Sequence, residues 1–83
     1  MKYVVLNEST PILFPDHIKH SFFKDKCLGE ITSGAFLYID YDTKNDNFIV
    51  RIYGEAQSLN LKPNYELDEK LINHLLRTAN IYK

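Results

Sequence analysis

The stretch from residue 30 to residue 52 restricts the fold most, because its apolar side chains recur at every second position. One register of a predicted strand over Glu30–Asp42 holds Ala35, Leu37, Ile39 and Tyr41. A polar loop, Thr43 to Asn47, follows, and a second strand pattern begins at Phe48. Alternation with period two is typical of half-buried strands, and a short polar linker joins antiparallel neighbours. The pattern predicts an antiparallel hairpin that turns near Asn45.

Two shorter apolar runs near the amino end predict another hairpin. Residues Lys2 to Asn7 and Pro11 to Phe14 are joined by a polar, turn-prone linker. The first run is apolar in both alternating registers, which indicates a strand inside the sheet. Pro11 has no N–H to donate to a neighbouring strand, so the second run fits a strand's start or an edge strand.

Two segments have helical spacing. Ile18 and Phe22 lie four residues apart, which predicts a first helix from Asp16 or His20 to Cys27. Asn64 is a suitable cap for a second helix, in which Glu66 and Lys70 form an ion pair four residues apart. One broad side of this second helix carries the apolar residues Leu67, Leu71, Ile72, Leu75, Leu76 and Ala79.

We therefore predict a single domain over residues 1–83 of the α+β class, with element order β-β-α-β-β-α. Two helices pack on a mostly antiparallel sheet. The chain is 45% hydrophobic and 25% charged, which is the composition of a globular domain. No apolar run reaches the roughly 20 residues of a membrane helix, so we expect a cytoplasmic protein without a membrane partner. Cys27 is the single cysteine, which excludes an intrachain disulfide, and we expect a half-buried apolar group there.

The stretch "YGEAQSLNL", Tyr53 to Leu61, interrupts the strand pattern with small residues. Gly54 indicates a bulge or a close backbone approach, and a shallow surface there would let the second helix lie close to the sheet. Alternatively, the shallow surface receives another molecule. Small residues recur at Ser33 and Gly34, and the hairpin would place both patches side by side. Polar groups for such a site would come from Ser33, Glu55, Gln57 and Ser58.

Other functional classes have weaker support. The net charge is −1 and the basic residues are scattered, which makes nucleic acid an unlikely partner. A zinc site would need His17, His20 and His74 to meet. Asp40 to Asp46 begins like a calcium loop, yet its sixth and twelfth positions are Asn45 and Arg51 instead of glycine and glutamate. We predict no metal, no cofactor and no catalytic residues.

Three strings in the chain, "PILFPDHIKH", "TSGAF" and "YGEAQSLNL", precede a helix rich in acids and leucines. With them, the chain resembles a group of short, uncharacterised proteins of bacteria and their phages or prophages. The resemblance extends from Lys2 to about Leu76. It implies a small accessory protein of a mobile element or its host, which acts by binding something, and the group has no assigned activity or catalytic residues to carry over to this chain.

These observations predict a non-catalytic interaction protein that binds a host or phage protein, with inhibition of a host defence system as its most specific form. The alternative is a small-molecule-binding protein or minor enzyme that uses the shallow site near Gly34 and Gly54. We also expect a homodimer, because small sheets leave edges open to pairing. It would form through an edge or through the face that carries Phe36, Tyr38 and Tyr53.

Overall fold

The computed structural model describes residues 1–24, 26 and 28–80, and its centre is one antiparallel sheet of four strands. The strands are β1 (Lys2–Leu6), β2 (Thr10–Phe14), β3 (Ile31–Asp42) and β4 (Asn47–Tyr53). Their order across the sheet is β2-β1-β3-β4. The predicted α+β class and antiparallel sheet are confirmed, and β1 lies in the interior, as its two apolar registers indicated.

Both hairpins turn where polar linkers were predicted. Asn7 begins the first turn with a φ of 54°, a left-handed conformation that asparagine tolerates well. In the second turn the Asp42 carboxylate accepts the N–H groups of Lys44 and Asn45 at 3.0 and 3.4 Å. The Asn45 side-chain amide also donates to Asp42, at 2.7 Å, and this bond holds the pKa of the carboxyl below its ordinary value. The acidic residues that resemble a calcium loop therefore shape a hairpin turn.

Helix α1 spans Tyr65–Asn80 and packs on one face of the sheet. Asn64 caps it, because its side-chain oxygen accepts the N–H of Leu67 at 3.4 Å. The predicted pair of Glu66 and Lys70 is present at 3.7 Å. The core under the helix consists of Tyr3, Val5, Ala35, Leu37, Val50 and Ile72. The second predicted helix is confirmed, while the side chain of Ala79 lies outside the described part of the chain.

The predicted first helix is wrong. Residues 15–24 contain a single 3₁₀ turn, His20–Phe23, and Lys19 before it is extended, with a φ of −78° and a ψ of 146°. A 3₁₀ turn brings residues three apart to the same side, so His20 and Phe23 both pack against Phe14 on the sheet. These contacts decide the conformation, because aromatic residues and histidine are weak helix formers. The predictions for Cys27 lie outside the described residues.

The small residues after β4 pack against the sheet face opposite α1. A Cβ atom placed on Gly34 would lie 3.2 Å from the Ala56 Cβ and 3.5 Å from the His20 Cδ2. The predicted close approach at the small residues is therefore present. The segment that packs closely there is the 3₁₀ turn around His20, so the prediction that α1 would lie over these residues is wrong. β4 ends at Tyr53, Gly54 has a φ of 67°, and a second 3₁₀ turn covers Gln57–Leu59. The apolar register changes because the strand ends.

Candidate functional site

All predicted site residues except Ser33 lie on the side of the sheet opposite α1. Gly34, Phe36 and Tyr38 alternate along β3 on this face, and Tyr53 of β4 pairs directly with Phe36. A Cβ atom on Gly54 would lie 3.0 Å from the Phe36 Cδ2, while a Cβ atom on Gly34 would lie 3.2 Å from the Ala56 Cβ. The residues that follow and complete this region are Glu55, Gln57 and Ser58.

Three of these residues form a continuous row, which we call the aromatic face: Phe36, Tyr38 and Tyr53. The ring centroids of Phe36 and Tyr53 are 5.6 Å apart and nearly parallel, and those of Tyr38 and Tyr53 are 6.0 Å apart. Tyr38 is 50% exposed and Tyr53 is 47% exposed. Neighbouring aromatic rings, two of which end in a polar hydroxyl, are suited to a partly wet contact surface.

A shallow cavity of about 290 Å³, which we call the cationic pocket, adjoins the aromatic face and shares Phe36 with it. Its other walls come from β1, from the segment around the first 3₁₀ turn and from the segment after β4. The lining residues are Lys2, Lys19, His20, Phe36, Glu55, Gln57 and Ser58. The predicted polar residues Glu55, Gln57 and Ser58 therefore line one cavity.

Lys2 is held in place at this pocket. Its ammonium donates to the backbone oxygen of Ile18 at 3.0 Å and lies 5.5 Å from the centroid of the Phe36 ring. The second contact is a cation–π interaction of the kind worth about 0.5–1 kcal/mol at an accessible site. No carboxylate of the described residues lies within 4.0 Å of this ammonium. Two of its three protons are therefore available to a bound group.

His20 forms the floor of the pocket and is only 3% exposed. Its Nε2 lies 2.8 Å from the backbone oxygen of Ala35, and because a carbonyl only accepts, Nε2 carries the proton. Burial lowers the pKa of His20 below its ordinary value, although the bond to Ala35 opposes this shift. The imidazole is therefore neutral at neutral pH, and it contributes shape more than charge to the pocket.

Ser58 joins the two segments that cover this face. Its hydroxyl oxygen accepts the backbone N–H of Ser21 at 3.1 Å. Because that bond uses the oxygen as an acceptor, the hydroxyl proton of Ser58 is free to donate to a molecule in the pocket.

Ser33 lies on the helix-covered face and is separated from the other predicted residues by the sheet. Its hydroxyl donates to the Asp68 carboxylate at 2.8 Å, and the Tyr3 hydroxyl donates to the same carboxylate at 2.7 Å. The backbone N–H of Asn64 supplies a third bond, at 3.0 Å. Burial and the bond to Asp68 raise the pKa of Tyr3 well above its ordinary value. This network links α1 to the sheet within the core, and none of its residues lines the cationic pocket.

The histidines do not converge on a metal site. His20 packs on the sheet face opposite α1, whereas His74 is exposed on α1 itself. Across residues 1–24, 26 and 28–80, no cluster of three histidine, cysteine or acidic side chains has a geometry for a metal ion. A helix long and apolar enough to cross a membrane is likewise absent from these ranges.

Comparison with known proteins gives no match to a protein-family model, to a curated protein or to a solved structure.

Sequence reasoning missed Lys2 and Asp68, and it considered His20 only as a possible metal ligand. Asp68 lies four residues before Ile72, on the apolar side of α1, and that spacing was a usable signal for a buried carboxylate. Lys2 alternates with the buried Tyr3 and so had to reach the opposite face. His20 had no comparable signal. Its burial depends on the 3₁₀ turn, whereas the spacing of Ile18 and Phe22 predicted an α-helix at this position.

Proposed function

We propose that this protein is a non-catalytic interaction module that binds a partner protein through the aromatic face. The observation that carries the proposal is the row of three neighbouring rings, in which Tyr38 and Tyr53 are each about half exposed. No other described element covers the end of the face at Tyr38. Tyrosine and phenylalanine are enriched at the centres of protein interfaces, where truncation of such side chains often costs the most affinity.

The resemblance to short proteins of bacteria and their phages or prophages supplies the biological context. A host or phage protein is then the partner, and inhibition of a host defence or regulatory system is the most specific form of the proposal. A cytoplasmic location remains a prediction from the sequence.

Affinity capture from a bacterial lysate tests the aromatic face. We expect the wild-type chain to retain a defined partner and the double variant Tyr38→Ser/Tyr53→Ser to lose it. Tyr41→Ser is a matched control, because Tyr41 is the same residue type on the same strand, is 46% exposed and belongs to the other register. Equal capture by all three proteins contradicts the role of the aromatic face.

Phage growth tests the biological form of the proposal. We expect expression of the wild-type chain to change the plating efficiency of a phage on a host that carries an active defence system. The double tyrosine variant should lack this effect, while Tyr41→Ser should keep it. No change across a panel of defended hosts contradicts the anti-defence role and leaves the binding role to the capture experiment.

A homodimer is a further part of this proposal. β4 is an edge strand of seven residues without a proline, whereas the other edge strand, β2, contains Pro11, which blocks one donor. Pairing would therefore use β4 or the adjacent aromatic face. Light scattering over a hundredfold concentration range should show a mass above 9.7 kDa. Tyr38→Glu should lower this mass if the dimer forms through the aromatic face and not through the β4 edge. A constant monomer mass contradicts the dimer.

The cationic pocket favours a second candidate function, the binding of a small molecule near Gly34 and Gly54. Its volume of about 290 Å³ lies just below the range of about 300–1,000 Å³ for typical ligand sites, so only a small ligand would be enclosed. A thermal-shift screen over nucleotides, metals and metabolites should give a stabilising compound whose effect is lost in Ser58→Ala. The absence of any shift contradicts this candidate.

A further inference from the structure

We infer that the cationic pocket receives a carboxylate group of the partner protein, so that the partner's contact segment is acidic as well as apolar. This inference rests on the protein-binding function proposed above and adds the chemistry of the segment that is recognised. The carboxylate belongs either to an acidic side chain or to a chain end.

The pocket and the aromatic face form one surface. Phe36 belongs to both, and from its ring the row continues through Tyr53 to Tyr38 without a gap. A peptide that lays apolar side chains over the two tyrosines therefore passes the pocket opening at Phe36. The geometry favours a segment in which an acidic group lies beside apolar residues.

The charge of the pocket matches a single carboxylate. Lys2 and Lys19 contribute two positive charges, and Glu55 contributes one negative charge, which leaves one net positive charge. His20 adds none at neutral pH, since burial keeps its imidazole neutral. A carboxylate restores neutrality, whereas a phosphate dianion would add an unmatched negative charge beside Glu55.

Lys2 and Ser58 line the same cavity, and each has a hydrogen-bond donor that no described residue uses. The Lys2 ammonium is fixed by Ile18 and Phe36, so little further side-chain entropy is lost when it binds an anion. Ser58 has a free hydroxyl proton, because its oxygen accepts from Ser21. Charge-assisted bonds from such donors are about twice as strong as neutral ones.

The pocket also argues against a nucleic-acid backbone as its occupant. Nucleic-acid binding depends on several cations that each neutralise a phosphate. Here one net positive charge is available in the pocket, and the whole chain has a net charge of −1. Arg51, the cation nearest to the aromatic row on β4, already lies 4.0 Å from Asp40.

An NMR titration of the full ¹⁵N-labelled chain tests the inference. The probes are N-acetylglycine for a chain-end carboxylate, N-acetylglutamate N-methylamide for a side-chain carboxylate, N-acetylglycinamide as the neutral analogue, and inorganic phosphate. We expect at least one carboxylate probe to give saturable shifts at Lys2, His20 and Ser58, and the neutral analogue to give none. Which carboxylate binds more tightly identifies the source of the group. Equal shifts with the neutral analogue, or tighter binding of phosphate, overturn the inference.

Two variants change the charge of the pocket in opposite directions, and a third keeps the charge of the residue that it replaces. Lys2→Met keeps the side-chain length and should weaken carboxylate binding at least tenfold, while Lys2→Arg should restore it. Glu55→Gln raises the net positive charge by one and should tighten binding several-fold, a gain that misfolding cannot produce. Lys70→Met is the matched control, since Lys70 lies on α1 and pairs with Glu66. Unchanged affinity in Lys2→Met and Glu55→Gln overturns the inference.

The capture experiment separates this inference from the proposed function. If the tyrosine double variant loses the partner and Lys2→Met retains it fully, the interaction module stands and the carboxylate site is wrong. If the carboxylate probes bind at Lys2 but the tyrosine double variant still captures the same partner, the carboxylate site stands and the role of the aromatic face is wrong.

Discussion

The two faces of the sheet differ in how completely other parts of the chain cover them. On one face, α1 covers Tyr3, Val5 and Leu37, and all three side chains are fully buried. On the other face, short segments cover only the end near Val4 and Gly34, and the far end leaves Tyr38 and Tyr53 about half exposed. One long helix is enough for one face of a sheet this size, and among residues 1–24, 26 and 28–80 the second face has no equivalent element.

Polar groups show the same contrast. Under α1, the Asp68 carboxylate receives three hydrogen bonds, from Tyr3, Ser33 and the backbone of Asn64. Across the described residues, no buried side-chain nitrogen or oxygen lacks a partner. On the other face, by contrast, Lys2 and Ser58 keep protons that are free to bind another group. The polar groups under α1 are therefore satisfied within the fold, whereas the opposite face keeps unused hydrogen-bond donors at Lys2 and Ser58.

The largest effect that separates the two faces is expected from Asp68→Ala. The change leaves two buried hydroxyls and one backbone N–H without their acceptor, so the free energy of unfolding should fall by about 3 kcal/mol. Urea denaturation followed by circular dichroism measures it. Glu69→Ala, one position further on the exposed side of α1, should change the value by less than about 0.5 kcal/mol. Similar urea midpoints for the two variants would show that the network does not support the core.

A smaller effect is expected on the opposite face from Gly34→Val. A Cβ atom there would already lie 3.1 Å from the backbone oxygen of Tyr3 and 3.2 Å from the Ala56 Cβ. The larger side chain must displace the covering segments, which should cost about 2 kcal/mol of unfolding free energy. Gly34→Ala adds only the Cβ and should cost less. Thermal unfolding measures both, and equal melting temperatures for the two variants would contradict the tight approach.

The change in stability with pH should be smaller than the effect of Gly34→Val. It should arise from His20, which lies on the same face as Gly34, opposite α1. Because burial lowers the pKa of His20, the unfolded chain takes up a proton at a higher pH than the folded chain does. Stability is therefore constant above about pH 7 and falls as the pH drops below about 6.5, the ordinary value for histidine. The decline ends once the folded pKa is passed.

Urea midpoints between pH 8 and pH 5 measure this decline in the wild-type chain. His20→Gln is the control, because glutamine keeps a side-chain donor for the Ala35 oxygen but does not titrate in this range. A decline of equal size in His20→Gln would assign it to another group. The carboxyls of Asp16 and Asp42, whose pKa values are also lowered, act at lower pH, because their stabilising effect is lost only as the pH falls through those values.

The smallest effect on stability is expected at the open end, from Tyr38→Ser. The side chain is 50% exposed and contacts chiefly Tyr53, so the free energy of unfolding should fall by no more than about 0.5–1 kcal/mol. Urea denaturation of the same variant used for partner capture measures it. A loss as large as that of Asp68→Ala would mean that the aromatic face supports the fold and is not spare surface.

The sheet and α1 were predictable because their signals are local. Alternating residues in β3 and β4 and a polar loop at Asn45 fix the hairpin, and helical spacing with a cap at Asn64 fixes α1. Each signal lies within about 20 neighbouring residues. Strands that follow one another in the chain usually lie close together in space, so the two hairpins are expected to join in one sheet.

The segment 15–24 was not predictable in the same way. Its conformation depends on the bond from His20 to Ala35, 15 positions away, and on the packing of Phe23 against Phe14. The same dependence explains why the aromatic face could be predicted in full, whereas of the cationic pocket's other residues only Glu55, Gln57 and Ser58 could. Phe36 and Tyr38 follow from strand alternation, whereas the pocket requires Lys2, His20 and Ser58 to meet from three separate parts of the chain.

The bond between Tyr3 and Asp68 joins residues 65 positions apart, and this distance has a consequence during synthesis. A ribosome adds roughly 5–20 residues per second, so about 3–13 s pass between the synthesis of Tyr3 and that of Asp68. Throughout that time α1 does not exist, and the apolar sheet face beneath it remains uncovered as the strands emerge. Such a face is the kind of surface that chaperones bind and that aggregates form from. Completion of this core is therefore a late event on the ribosome, and the yield of folded chain should depend on how soon α1 follows the sheet.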